Sequence, residues 1–234
     1  MNDSSTGKVV LFDDFTRKAI DTTNQWTSNA DGGGTAFAIN AQANGVVRGT
    51  GDGTDGDITS LLGTVIFKAT AGGPLIFEAR VKPVTSVADG ETFIGLTDAT
   101  TDENPIQVST TDVQTDAATD AVGFTYTGAG TANWKAVAVK ADSSRTPVAC
   151  NQPYTTDAGV SSRVTTPVVG TYMTFKIVVN EDGDADFYIN GSYQARIDSA
   201  VTAGTLLIPA VVQEEGGTAR STDVDFIRVE SGRV

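Results

Sequence analysis

The chain has 234 residues, with 16 Lys and Arg against 29 Asp and Glu and no histidine, so its formal charge is −13. Without histidine there is no Ser-His-Asp triad, no Cys-His dyad and no histidine-ligated zinc, and so acidic a chain argues against nucleic acid as a partner, which needs clustered Lys and Arg. Hydrophobic residues at 39% with 19% charged are the balance of a folded chain with a buried core.

Along the chain, short apolar runs recur between Gly, Asp, Asn and Pro clusters, and no helical periodicity of useful length interrupts them. This is the pattern of an all-β sandwich or barrel. It predicts strands over 9–15, 35–39, 64–69, 75–82, 91–96, 121–126, 134–140, 172–179, 184–189, 193–197, 206–212 and 223–229. About a dozen strands with no helix between them exclude a doubly wound α/β fold. No linker divides them, so the expected organisation is an arm at 1–8, one antiparallel β-sandwich domain at 9–230 and a tail at 231–234. The single cysteine, Cys150, leaves no intramolecular disulfide. The opening Met1-Asn2-Asp3-Ser4-Ser5 has no basic segment followed by an apolar one, which points to synthesis in the cytoplasm without a signal peptide. No run approaches the roughly 18 apolar residues that span a bilayer, so no membrane partner is expected.

Two strands declare their faces. In 75–82, Leu75, Phe77, Ala79 and Val81 alternate with Glu78, Arg80 and Lys82, a half-buried strand. Met173, Phe175, Ile177 and Val179 form one core face, and Ala185, Phe187 and Ile189 the next. Matching these faces sets Val179 opposite Ala185, Ile177 opposite Phe187 and Lys176 opposite Tyr188, and leaves Glu181-Asp182-Gly183 as a three-residue loop with Gly183 in the left-handed region. The stretch 83–134 has no Lys or Arg but holds Asp89, Glu91, Asp98, Asp102, Glu103, Asp112, Asp116 and Asp120. Within it, 97–120 reads as a long surface excursion with 106–108 as its one short strand; long ordered loops tend to be functional or interfacial.

Several segments together resemble the concanavalin A-like lectin/glucanase jelly roll, a laminin-G-like sandwich. They are Phe93-Ile94-Gly95-Leu96-Thr97-Asp98, Val122-Gly123-Phe124-Thr125-Tyr126, Trp134 to Lys140, Tyr172 to Val179, Asp186-Phe187-Tyr188-Ile189-Asn190-Gly191, the closing Asp223 to Val229 and the opening Leu11-Phe12-Asp13-Asp14-Phe15. The likeness runs in order through most of the chain and implies a first strand lying beside the last. The fold hosts lectins, glycosidases and virion proteins alike. The variant without signal peptide or disulfide most resembles domains of tailed-phage virions. That implies a non-enzymatic capsid decoration or cement protein on the outer capsid surface, with the major capsid protein and further copies of itself, as a trimer, for partners.

Three chemistries are weighed against that. A β-glucanase of this fold carries Glu-x-Asp-x-x-Glu or a close variant on one strand, and the sequence lacks it; Asp184/Asp186 and Asp223/Asp225 are the same-face pairs available, and both read as structural. No catalytic residue and no cofactor are therefore expected. The alternative, a lectin-like glycan-binding module of a phage fibre or surface adhesin, uses exposed aromatics beside polar groups. Among Trp26, Trp134, Tyr126, Tyr154, Tyr188 and Tyr193, the expected contacts are Tyr188, Trp134 and Tyr126 with Asp186 and Lys176. Calcium is the one metal suited to oxygen ligands alone, with Asp182, Asp184 and Asp186 as candidate ligands and the Asp52-to-Asp57 cluster as a second candidate.

Overall fold

A computed structural model describes residues 2–4, 7–42, 45–70, 72–109, 111, 114–128, 133–155, 161–163 and 166–233, with the backbone alone for 2–4, 153–155 and 161–163. Asp112 and the Tyr154 side chain fall outside the described residues.

The strands in chain order are β1 (Asn2–Ser4), β2 (Lys8–Asp13), β3 (Trp26–Ala30), β4 (Thr35–Ile39), β5 (Val47–Thr50), β6 (Ile58–Gly63), β7 (Leu75–Pro83), β8 (Gly90–Thr97), β9 (Ile106–Val108), β10 (Gln114–Asp116), β11 (Ala121–Thr127), β12 (Lys135–Lys140), β13 (Ser143–Ser144), β14 (Val148–Ala149), β15 (Pro153–Thr155), β16 (Ser161–Arg163), β17 (Met173–Val179), β18 (Ala185–Ile189), β19 (Ser192–Ile197), β20 (Ile208–Glu215) and β21 (Ser221–Gly232). Apart from the two-stranded pairs β9–β10 and β15–β16, they form two large antiparallel sheets. The first runs β1-β2-β21-β7-β17-β18-β19, with β5 on β21 and β4 on β5; the second runs β13-β12-β11-β8-β20-β6-β3, with β14 on β12. The first long strand pairs with the last, Leu11 opposite Val229. This is the jelly-roll sandwich that the sequence resembles.

In the first sheet the alternation places each face as expected. Leu75, Phe77, Ala79 and Val81 are buried, as are Phe175, Ile177 and Phe187. The pairs Val179–Ala185, Ile177–Phe187 and Lys176–Tyr188 fix the β17–β18 register. Asn180 N–H donates to the Asp184 carbonyl at 3.0 Å, and Gly183 turns the loop at φ 87°.

The second sheet is buried on both faces. Ile94, Leu96, Val122, Phe124, Ala136, Ala138 and Val211 point into the core between the sheets. From the outer face, Leu62, Phe93, Ala121, Val137, Val139, Ile208, Ala210 and Val212 pack instead on Ile106, Val108 and Ala118. The segment 97–120 is therefore not a free surface loop: its β9–β10 hairpin folds back and covers the apolar part of that face. Several strands differ from expectation, β5 at Val47–Thr50 among those not foreseen. Residues 64–69 make only an isolated bridge, Phe67 to Leu207, and the strand lies at Ile58–Gly63, where Thr59 to Gly63 are all buried and no alternation shows. Edge strand Trp26–Ala30 fully buries only Trp26 and has no apolar run to mark it.

Candidate functional site

The outer face of the second sheet carries two glutamates side by side. On β8 that face holds Glu91, two residues before the outward-packed Phe93; on β20 it holds Glu214, two residues after the outward-packed Val212. The register sets Glu91 directly opposite Glu214. Like charges opposite one another are unfavourable, and the folded-back hairpin segment supplies the compensation. Asn104 Nδ2 donates to Glu91 Oε2 at 3.3 Å and to Glu214 Oε2 at 3.1 Å, so one amide nitrogen spans both carboxylates. Gln107 Nε2 donates to Glu214 Oε2 at 2.6 Å, and the Val108 N–H donates to Glu91 Oε2 at 3.3 Å.

Burial and the facing Glu214 carboxylate push the Glu91 carboxyl up to about 7, against the Val108 N–H, the Arg220 charge and the Asn104 amide, which pull it down. Behind the strands lies Arg220, whose Nη1 donates to the Glu91 and Glu214 carbonyls at 3.0 and 3.2 Å and whose Nη2 donates to Thr92 Oγ1 at 2.9 Å. Burial lowers its proton affinity. A cavity of about 200 Å³ opens beside Asn104 and Gln107 and one of about 280 Å³ lies at Leu62 and Ile208, with neither Glu91 nor Glu214 lining either one. The arrangement can do acid–base chemistry: one carboxyl holds a proton near neutral pH and a second carboxylate stands next to it.

The residues expected from sequence fall elsewhere. Trp134 and Tyr126 are 3% and 5% exposed. Trp134 packs edge-on against Phe175 at 4.6 Å, and the Tyr126 hydroxyl donates to the Val87 carbonyl. Both are core residues, out of reach of a surface glycan, because β11 and β12 have an apolar layer on each side. Tyr188 is half-buried on the outer face of the first sheet, with Lys176 Nζ 5.9 Å from its ring centroid and Tyr193 edge-on at 5.7 Å.

Asp186 and Asp184 do not await a cation. Arg196 lies 3.2 and 2.7 Å from them and also binds Asp198, while Asp184 takes the Ser199 N–H at 2.8 Å. The Ser199 N–H and the Asn180 amide hold Asp184 below the usual carboxylate range. Asp182 is exposed in the turn. Asp52 accepts the Gly33 and Thr54 N–H groups. No group of three or more acidic or Cys side chains converges as a metal site among the described residues. Asp223 is clasped by Arg48 and Lys82 and Asp225 by Arg80, which is the structural role expected of that pair.

Sequence reasoning missed Glu91 and Glu214 because it sought alternating acids on one strand. These two lie on neighbouring strands far apart in the chain, and Glu214 lies past the expected end of its strand at 212. The available signal was an acid at the continuation of each outward series.

No protein-family model matches the chain, and no curated protein matches it. Among solved structures it is similar to a β-glucanase of Bacillus licheniformis, at a TM-score of 0.59 and 10% identity over 94% of this chain and 97% of that one. It is similar too to a β-1,3-glucanase from Mycobacterium marinum, at 0.57 and 13% over 94% and 97%. The Emp47p carbohydrate recognition domain matches at 0.56 and 12% over 99% and 97%. At such identities the likeness establishes the fold, the concanavalin A-like glucanase and lectin jelly roll. It also corrects the functional expectation. The reading as a non-enzymatic capsid decoration protein gives way, because the full-length likenesses run to glucanases, a glycosidic hydrolase and transglycosylases. The expectation of no enzymatic activity rested on a missing single-strand motif, and it gives way with the virion reading.

Proposed function

We propose that the protein is a carbohydrate-active enzyme that cleaves glycosidic bonds, with Glu91 as the general acid and Glu214 as its partner carboxylate. The observation that carries this reading is the facing pair itself, one member held protonated up to about pH 7. Glycoside cleavage asks for that division of labour: the acid protonates the leaving oxygen while the carboxylate attacks the anomeric carbon or activates a water. Asn104 Nδ2 reaches both carboxylates, which favours the close spacing of about 5–5.5 Å used by retaining enzymes over the wider inverting one. Glu214 then forms the glycosyl ester, and Glu91, having given up its proton, takes one from the water that hydrolyses it. Asn104 and Gln107 cap the pair, so a sugar chain enters by exchanging their amide contacts for its own hydroxyls. Supporting the carbohydrate reading, similar structures include β-glucanases.

The test is release of reducing ends from a panel of β-glucans. Turnover is expected to fall at least about 100-fold in Glu91→Gln and in Glu214→Gln, and to decline above pH 7 as Glu91 loses its proton. Turnover indifferent to both substitutions removes the pair from the chemistry.

A second reading, glycan binding without cleavage, is favoured by the Tyr188–Tyr193 pair on the opposite sheet, where Tyr193 is 49% exposed and Tyr188 stands beside Lys176 and Asp186. Glycan retention lost in Tyr193→Ala and Tyr188→Ala, with no turnover by the unaltered chain, is the outcome that selects it.

A further inference from the structure

Burying a guanidinium is costly unless its donors are well used, and Arg220 is only 2% exposed. Its use is specific. A single nitrogen, Nη1, bonds the backbone carbonyls of the two residues that carry the facing carboxylates, Glu91 at 3.0 Å and Glu214 at 3.2 Å. Nη2 is anchored on Thr92 Oγ1 at 2.9 Å, between those strands and the core, while Nε has no partner. The backbone is shaped to admit it. Gly90 begins β8 at φ 118°, and a Cβ there would come within 2.8 Å of Arg220 Nη1 and drive into the Glu214 carbonyl. Arg220 itself is held through its own N–H, which donates to Glu215 Oε2 at 3.0 Å, and its carbonyl accepts from Gln213 Nε2 at 3.1 Å.

We infer that Arg220 is a positioning residue for the Glu91–Glu214 pair: by tying both backbone carbonyls to one nitrogen on the core side, it fixes the separation of the two carboxylates on the outer side. The inference deepens the glycosidase reading and rests on it for its consequence in turnover, but the positioning itself can be read without turnover.

Lysine keeps the charge and loses the planar fork, so Arg220→Lys separates positioning from electrostatics. The Glu91 titration is followed by NMR on chain carrying 13C-labelled glutamate, with Glu91→Gln assigning the resonance. As the carboxylates drift apart and repel less, the Glu91 midpoint is expected to fall by at least about one unit. In the β-glucan assay kcat is expected to drop at least about tenfold with KM held within about twofold, since an interaction acting on the chemical step is being lost. A folded Arg220→Lys whose Glu91 midpoint stays at that of the unaltered chain overturns the inference. A chain with no turnover at all sinks the glycosidase reading, while the titration still decides the positioning. If Arg220→Lys does not fold, Thr92→Val loosens the same guanidinium: the same downward midpoint shift supports the positioning role, and an unmoved midpoint overturns it.

Discussion

At the scale of the residue, Glu91 is a group whose placement opposes stability. Its ordinary carboxyl value of 4.5 is raised to about 7 by burial and by Glu214. Between those values the folded chain holds a proton that the unfolded chain has released, so stability falls as pH rises through that window and is level above it. The full span corresponds to about 3 kcal/mol. Glu91→Gln is therefore expected to flatten the dependence of unfolding free energy on pH between 4.5 and 7 and to be more stable than the unaltered chain at pH 8, as urea unfolding at a series of pH values will show. Parallel curves for the two proteins refute the raised value. Asn104 acts on the same group from above. Its amide favours the ionised form, so Asn104→Ala is expected to move the Glu91 midpoint further up, opposite in sign to the loss of positioning by Arg220. A downward shift shows that the Asn104 amide does not stabilise the carboxylate.

Elements show where local pattern suffices and where it does not. The β17–β18 hairpin is legible because each strand has one apolar face, and only one register buries both; Gly183 follows as the residue that turns the loop. Its replacement tests that logic. At φ 87° an alanine is strained, and its Cβ would run into the Val201 carbonyl, so Gly183→Ala is expected to lower stability by about 1–3 kcal/mol, read from the shift in urea midpoint; an unchanged midpoint contradicts the turn. Strand β6 was not legible, since Thr59, Ser60 and Leu61 are all buried and burial on both faces erases alternation. The 97–120 segment escaped for a different reason. Ile106, Val108 and Ala118 are few, and nothing near them in sequence says that Phe93, Val137 and Val212 await them. The facing glutamates share this blindness: a cross-strand pair exists only once β8 and β20 are neighbours, and the long connection between them hides that.

The whole molecule distributes its charge unevenly, and the two sheets differ in kind. On the first sheet acids are matched: Lys8 with Glu230, Arg48 and Lys82 with Asp223, Arg80 with Asp225, and Arg196 with Asp184, Asp186 and Asp198. Around the outer face of the second sheet, the stretch 83–134 brings acids and no Lys or Arg, Lys135 follows in phase with the outward Val137 and Val139, and Arg220 is buried behind the pair rather than presented to a ligand. A field with an excess of one sign repels ligands of that sign and is screened by salt. A sugar chain reaching Glu91 and Glu214 is therefore expected to be neutral. Retention of a neutral β-glucan should be the same at low and high ionic strength, whereas a polyuronate of similar length should be excluded at low ionic strength and admitted, if at all, only when salt screens the face. Affinity electrophoresis with each polymer in the gel reads both arms. Equal retention of the two polymers at low ionic strength contradicts an acidic entrance to the pair and moves the binding surface to the charge-matched first sheet, where Tyr188 and Tyr193 stand.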